Sequence, residues 1–195
     1  MKAAFASARV RSIAATVAAA VLWTLLAAWM LFLWSYQREY ARLTVFGHIR
    51  ASAPAPYYDP PAKVDFRDEE HVTWIRWSSP EQDSRWSAGK DVGMLFRLSA
   101  SAARSARAFE FTAMRTLGPN AVTVLVDDRP IVHMVLNGPG HFRFPIPPGT
   151  LSAGANDIEF QLPQAHRPDS NDSRVLGVAL ADFELDVGPK LIDLR

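Results

Sequence analysis

The segment "WSSPEQDSRWSAG" at residues 77–89 combines the residue types that bind sugars. A flat aromatic ring can lie against the apolar C–H face of a pyranose, while a few charged groups bond its hydroxyls and set its orientation. Trp77, Glu81 and Trp86 carry such groups, and we treat them as candidate ligand-binding residues. The alternative is that the rings plug the end of a hydrophobic core. In a regular strand Trp74 and Trp77 would point to opposite faces, so one of them would need a partner outside the core.

Catalytic and metal-binding motifs are absent from the sequence. It contains neither a G-x-S-x-G nucleophile elbow nor a glycine-rich phosphate loop. None of the five histidines is spaced like an H-x-x-x-H metal pair, although His133 and His141 flank a hairpin-like return that could bring them together. The acids at 68–70 are consecutive and cannot all converge on one ion, so they predict a solvated turn. We expect a protein that is not an enzyme and that uses no cofactor or metal.

Charge and cysteine content narrow the classes of partner. Residues 1–50 carry six basic residues and one acid, and the remaining residues carry 15 basic and 19 acidic ones. An acidic body offers no basic face to replace the counterions of nucleic acid, so no nucleic-acid partner is expected. The chain has no cysteine, which excludes disulfides and cysteine nucleophiles.

An uncharged stretch from Ser12 to Gln37 predicts a membrane anchor. Its apolar core at 13–34 would span about 33 Å as a helix, which matches a bilayer core of roughly 30 Å. A secretory signal has a shorter apolar region that ends in small residues, whereas this one ends at Trp34 and Tyr36, residues favoured at membrane interfaces. We therefore predict an uncleaved single-pass anchor at 13–36 in contact with the lipid bilayer.

The orientation of this anchor is nearly balanced by its flanking charges. Three basic residues precede the apolar stretch and three follow it within the first 50 residues. The short acid-free tail at 1–12 is typical of a signal anchor, which favours a cytoplasmic tail. The alanine- and arginine-rich composition suggests a bacterium. We expect a bacterial inner-membrane protein with its C-terminal domain in the periplasm.

The remainder divides into a spacer and an all-β domain. Residues 37–62 predict a juxtamembrane helix followed by a proline-rich spacer, because four prolines at 54–61 fix the backbone and remove hydrogen-bond donors. Residues 63–195 contain short alternating or β-branched runs separated by turn sequences. The runs lie at 71–77, 91–99, 107–115, 121–127, 129–136, 141–146, 156–162 and 174–187. This pattern predicts an antiparallel, jelly-roll-like β-sandwich at 63–195.

Over residues 74–187 the chain resembles β-sandwich domains of bacterial cell-envelope polysaccharide systems, which occur attached to or beside membrane glycosyltransferases. The pattern of that family includes W-S-x-P-E, a second W-S pair, G-x-N-x-I-x-F and R-x-L-G-L-A. Arg76 departs from it, since glycine is usual at that position, and the loop "PQAHRPDSND" at 163–172 is a looser version of the family's. The matching residues are Trp77, Ser78, Pro80, Glu81, Trp86, Ser87, Gly154, Asn156, Ile158, Phe160, Arg174, Leu176, Gly177 and Ala179.

The resemblance implies a non-catalytic accessory role and a cluster of Glu81, Trp86 and Arg174 at one end of the sandwich. That cluster would either bind a glycan or lock the fold as a buried Arg–Glu pair under a tryptophan. The expected protein is an anchored accessory subunit of a polysaccharide synthesis or export machine. Its partner would be a polytopic membrane glycosyltransferase or a polysaccharide exporter. The alternative is a membrane-tethered scaffold of another envelope complex that does not bind sugar.

Overall fold

The computed structural model describes residues 17, 19–37, 55–60, 62–169 and 171–188. They fall into two compact units, one within residues 1–49 and the other within residues 50–195. The predicted tail at 1–12, the start of the predicted anchor and the juxtamembrane residues 38–54 lie outside the described residues.

Among its described residues the N-terminal unit contains one helix, α1 (Ala19–Gln37), which is long and apolar enough to cross a membrane. Membrane anchors and signal sequences share this property. Its large apolar side chains are exposed within the unit, Trp29 and Trp34 among them. Phe32 stacks on Tyr36 one turn later, with ring centroids 6.3 Å apart. The helix thus has an apolar surface on all sides, as a lipid-facing helix requires.

The C-terminal unit is a sandwich of two antiparallel sheets, which confirms the predicted fold class. Sheet I has the strand order β2-β4-β9-β6-β7, and sheet II has the order β1-β10-β5-β8 with β3 also paired to β10. The strands are β1 (Val64–Asp65), β2 (Thr73–Ile75), β3 (Arg85–Trp86), β4 (Asp91–Leu98), β5 (Ala108–Thr116), β6 (Asn120–Val126), β7 (Arg129–Leu136), β8 (Gly140–Pro145), β9 (Gly154–Gln161) and β10 (Val178–Asp186). Leaving aside the two-residue strands β1 and β3, eight strands remain, the number found in a jelly roll.

All eight strands expected from the sequence are present, and three short elements were not expected. β1 and β3 have two residues each, too few to show an alternating pattern. The third is α2 (Ala100–Ser105), a helix of six residues between β4 and β5. Ser99 caps it, because its hydroxyl accepts a hydrogen bond from the backbone N–H of Ala102 at 3.1 Å.

The core lies between the sheets and is rich in aromatic rings. Phe109 and Phe111 of β5 point inward and contact Phe160 of β9 at 6.2 and 5.3 Å between ring centroids. Alternation along β5 leaves Glu110 and Thr112 on the outer face. Tyr58, which the sequence placed in the spacer, is fully buried in this core. Its hydroxyl donates to the Ala62 carbonyl and accepts from the Leu185 N–H.

Candidate functional site

Trp77 is a core residue, so it does not offer a surface on which a sugar could stack. Its side chain belongs to the buried cluster between the sheets. The ring packs edge-on against Trp74 and Phe160, with centroids 5.5 and 6.0 Å away. Its indole N–H donates to the Gly93 carbonyl at 2.9 Å. The expected ligand-binding role of Trp77 therefore does not fit its buried position.

The expectation that Trp74 and Trp77 would face opposite sides is wrong, because the strand between them is not regular. β2 ends at Ile75, and Arg76 adopts a φ of 60°, in the left-handed region. This reversal turns the chain so that both rings point to the core, where they contact each other. Arg76 is the position at which the resembled family has glycine, the residue that adopts this conformation without strain.

Trp86 lies on the outer face of sheet II. It pairs with Ala179 of β10, which in turn pairs with Arg115 of β5. Directly paired residues project to the same face of a sheet, so Trp86, Ala179 and Arg115 form a row on that face. Leu180, which follows Ala179 in β10, points into the core, and Arg115 is exposed. We call Trp86, Ala179, Arg115 and Asp83 the Trp86 face.

The environment of Trp86 differs from that of the two neighbouring tryptophans. The indole N–H of Trp74 donates to the Asp68 carbonyl at 2.6 Å, and that of Trp77 is also satisfied. Among the described residues the indole N–H of Trp86 meets no protein acceptor, and no other ring packs against it. Trp86 is half-buried above the small side chain of Ala179. Its ring and N–H are thus available to a ligand.

A short hairpin-like turn holds Trp86 in this place. The Ser78 N–H donates to the Trp86 carbonyl at 2.8 Å, and the Trp86 N–H donates to the Ser78 hydroxyl at 3.1 Å. The Glu81 N–H donates to the Ser84 carbonyl at 2.9 Å and closes the tip. The buried Ser87 hydroxyl accepts from the N–H of Gly177 at 2.9 Å. The turn is therefore fixed both within itself and to the segment that leads into β10.

Two ion pairs connect this turn to the rest of the domain. Asp83 pairs with Arg115 at 2.6 Å, beside Trp86 in the row described above. Glu81 pairs with Arg174 at 2.8 Å, and Arg174 also pairs with Asp172 at 2.7 Å. Hydrogen bonds from the Arg174 guanidinium hold the pKa of the Asp172 carboxyl below its usual value, and those to Asp172 and Glu81 raise the pKa of Arg174.

Glu81 and Arg174 lie together, as the resemblance implies, but their ion pair is not buried. The Arg174 side chain is 42% exposed and that of Glu81 35%. A pair this exposed contributes little to stability, about 0–1 kcal/mol. The expected lock of a buried Arg–Glu pair is therefore not present in that form. Three further residues of this region, Asp83, Arg115 and Asp172, were not identified from the sequence. Asp83 and Arg115 are separated by 32 residues, and no short motif connects them.

The outer face of sheet II continues as a polar surface along β5 and β8. Glu110 bonds both His141, at 3.0 Å, and Arg143, at 2.5 Å. Arg143 also pairs with Asp186, and the hydrogen bonds from Glu110 and Asp186 raise its pKa. From Arg115 to Glu110 the strand extends about 17 Å at 3.3 Å per residue. The Trp86 face thus continues into a polar outer surface of sheet II.

His133 and His141 do not form a metal site, and neither do the acids at 68–70. His133 lies on β7 in sheet I, where its Nδ1 is 2.7 Å from the Thr123 hydroxyl, whereas His141 lies on β8 in sheet II. The chain crosses between sheets after Leu136, so the two histidines lie on strands of different sheets, and the hairpin-like return that could have brought them together is not formed. Asp68 closes the predicted turn by accepting from the N–H groups of Glu70 and His71. Within the described part of the chain no group of three or more His, Asp or Glu could hold a metal ion.

No protein-family model matches the chain, and no curated protein sequence matches it. Solved structures align with the sandwich at low similarity. A family 6 carbohydrate-binding module has 10% identity and a TM-score of 0.40, with 69% of this chain and 98% of that one covered. A family 35 carbohydrate-binding module from Clostridium thermocellum has 8% identity and a TM-score of 0.40, with coverage of 64% and 97%. A family two carbohydrate esterase from Clostridium thermocellum has 16% identity and a TM-score of 0.36, with 61% of this chain and 34% of that one covered.

This chain thus spans about a third of the length of the esterases it matches. TM-scores below 0.5 mark only partial similarity. These similarities therefore carry no argument about what this chain binds.

Proposed function

We propose that the protein is a single-pass, membrane-anchored accessory subunit of a bacterial polysaccharide synthesis or export machine, and that its periplasmic β-sandwich contacts the glycan through the Trp86 face. The observation that carries the proposal is the half-buried Trp86 ring on the outer face of sheet II, whose indole N–H meets no acceptor among the described residues. Beside it the Asp83–Arg115 pair supplies a carboxylate and a guanidinium for sugar hydroxyls.

The chemistry of this surface suits a neutral or mildly charged polysaccharide. Acidic and basic groups alternate along it and are already paired, so it presents donors and acceptors without a strong field of one sign. An aromatic ring supplies apolar contact area at low cost in conformational entropy. No step of bond cleavage is part of the proposal, since glycan contact alone accounts for the arrangement.

The role in a larger machine is supported by α1, which has the length and composition of a membrane span. An anchored sandwich would be held at the site where a polytopic glycosyltransferase or exporter delivers its product. The small residues Ala15 and Ala19 are spaced four apart in the sequence, a spacing that permits close approach of a partner helix.

The scaffold alternative is favoured by one observation. Arg174 ties the turn at 78–86 to its own loop through Glu81 and Asp172, and this network is complete without a ligand. A scaffold would bind its partner through such pre-formed loops and would tolerate the loss of the Trp86 ring.

A pull-down of the tagged full-length protein from its native membrane tests the proposal. We expect a polytopic glycosyltransferase or polysaccharide exporter to co-purify, and glycan to co-purify with the wild type but not with Trp86→Ala. Co-purification of an unrelated envelope complex, with no glycan in either sample, would favour the scaffold. The matched control is Tyr57→Ala, since Tyr57 is an exposed aromatic residue, 67% accessible, at another place on the sandwich.

A further inference from the structure

Arg85, the other residue of β3, points to the opposite side of the strand from Trp86. Its side chain is only 5% exposed. The Nε group donates to the Phe66 carbonyl at 2.9 Å, and Nη2 donates to Glu69 Oε1 at 2.9 Å. The guanidinium carbon lies 4.9 Å from the centroid of the Trp74 ring. A charged side chain is thus buried and held rigidly at one place.

A concavity of about 280 Å³ adjoins this guanidinium. Val72 and Trp74 form its apolar part, and Arg85, Glu69 and Thr73 supply polar groups. The volume lies just below the range for small-molecule sites, roughly 300–1,000 Å³, so it accommodates one ring rather than a chain.

Some hydrogen-bond donors beside this concavity have no partner among the described residues. A guanidinium has five N–H donors, and within the described residues Arg85 uses Nε and Nη2 on the partners given above. Its carboxylate partner Glu69 has a side chain that is 71% exposed. Burying a charge is costly unless its hydrogen bonds are made, so donors left facing a concavity favour a ligand with acceptor atoms.

The charge balance identifies the class of ligand. Arg85 and Glu69 cancel each other, so an anionic ligand would be repelled by Glu69 or would have to displace it. A neutral polyhydroxylated ring can accept from Arg85, donate to Glu69 and bond Thr73 while its apolar face lies against Val72 and the part of Trp74 that lines the concavity. We propose that this concavity binds a single neutral sugar residue at the end of a glycan chain.

This inference rests on the proposed function and extends it. Trp86 presents a face of the outer sheet that suits the interior of a chain, whereas the concavity beside Arg85 is small and suits one ring. The two residues are adjacent, with Cα atoms 3.8 Å apart across a trans peptide, and their side chains lie on opposite sides of β3. The two sites therefore bind different sugar residues and can be tested separately.

The experiment uses the full-length protein in a detergent without a sugar headgroup. The probes are the methyl pyranosides of glucose, galactose and mannose for the concavity, and oligosaccharide fragments of the source organism's envelope polysaccharide for the Trp86 face. Saturation-transfer NMR reports binding of each probe and its dissociation constant. The variants are Glu69→Gln and Thr73→Val, which keep the shape of the side chain. Glu70→Gln, next in the chain and outside the concavity, is the matched control.

We expect at least one methyl glycoside to bind the wild type, and Glu69→Gln to weaken it about tenfold by removing a charge-assisted hydrogen bond. Thr73→Val is expected to weaken it as well, and neither Glu70→Gln nor Trp86→Ala to change it. Binding of oligosaccharides without any binding of methyl glycosides would overturn this inference and leave the Trp86 face intact. Methyl glycoside binding that survives Glu69→Gln but not Trp86→Ala would also overturn it. If neither class of probe binds, the proposed function fails as well.

Discussion

At the scale of single residues, two tryptophans nine positions apart have opposite environments. Trp77 is enclosed by rings and its N–H is bonded, whereas the Trp86 ring lies on an outer sheet face. Residue type alone could not separate them. The deciding features are the reversal at Arg76 and the pairing of Trp86 with Ala179, and both depend on the three-dimensional arrangement.

Replacing Trp77 by alanine should destabilise the fold. The substitution leaves a cavity between Trp74 and Phe160 and removes the partner of the Gly93 carbonyl, so we expect the free energy of unfolding to fall by about 3–5 kcal/mol. Urea denaturation followed by circular dichroism measures it. A loss below about 1 kcal/mol would mean that the ring is not part of the core.

Arg76→Gly should stabilise the protein by up to about 1 kcal/mol, because glycine adopts a positive φ without the clash that a Cβ causes. Arg76→Ala separates this effect from loss of the guanidinium, which lies against Gly89. Thermal unfolding of the three proteins gives the comparison. If glycine is no more stable than alanine at this position, backbone strain is not the controlling factor.

At the scale of elements, the sequence predicted every strand of six or more residues, because alternation of apolar and polar side chains is visible over such lengths. Two-residue strands leave no such pattern, so β3, which carries both Trp86 and Arg85, was not foreseen. Its place depends on pairing with β10, more than 90 positions later in the chain. For the same reason the Glu81–Arg174 pair was reached through resemblance, and the Asp83–Arg115 pair was missed.

Ser87 joins the turn at 78–86 to the start of β10. Its fully buried hydroxyl accepts from the N–H groups of Gly177 and Val178. Ser87→Ala would leave two buried donors without a partner and should cost about 1–3 kcal/mol. Chemical denaturation measures the cost, and Ser79→Ala, at an exposed position of the same turn, serves as the control. Equal stability of the two variants would refute a joining role for Ser87.

The loop before β2 should make stability depend on pH. Burial on its own raises the pKa of the Asp68 carboxyl, but hydrogen bonds from His71 and Glu70 outweigh it and hold the pKa below the usual 3.8. A carboxyl whose pKa is lower in the folded state stabilises above its unfolded pKa, and this stabilisation is lost as the pH falls through the folded value. We expect the melting temperature of the wild type to fall between about pH 5 and pH 3 more steeply than that of Asp68→Asn. Parallel curves would show that Asp68 does not contribute.

At the scale of the whole molecule, the chain combines an apolar helix with a β-sandwich for which we propose glycan-binding surfaces. We expect the protein from its native host to resist extraction by alkaline carbonate and to keep α1 after membrane insertion, since the apolar stretch lacks a small-residue cleavage site. Mass spectrometry of the purified protein decides this. Recovery of a soluble protein that lacks residues 19–37 would identify α1 as a signal sequence.

The most direct test of the central claim is calorimetric titration of the full-length protein with oligosaccharide fragments of its own envelope polysaccharide. The titration is repeated for Trp86→Ala and for the Tyr57→Ala control. We predict that Trp86→Ala weakens binding about tenfold or more, as loss of a central aromatic contact does, and that Tyr57→Ala leaves it unchanged. Equal binding by the wild type and Trp86→Ala, with both proteins folded, would contradict the assignment of the Trp86 face as the glycan-binding site.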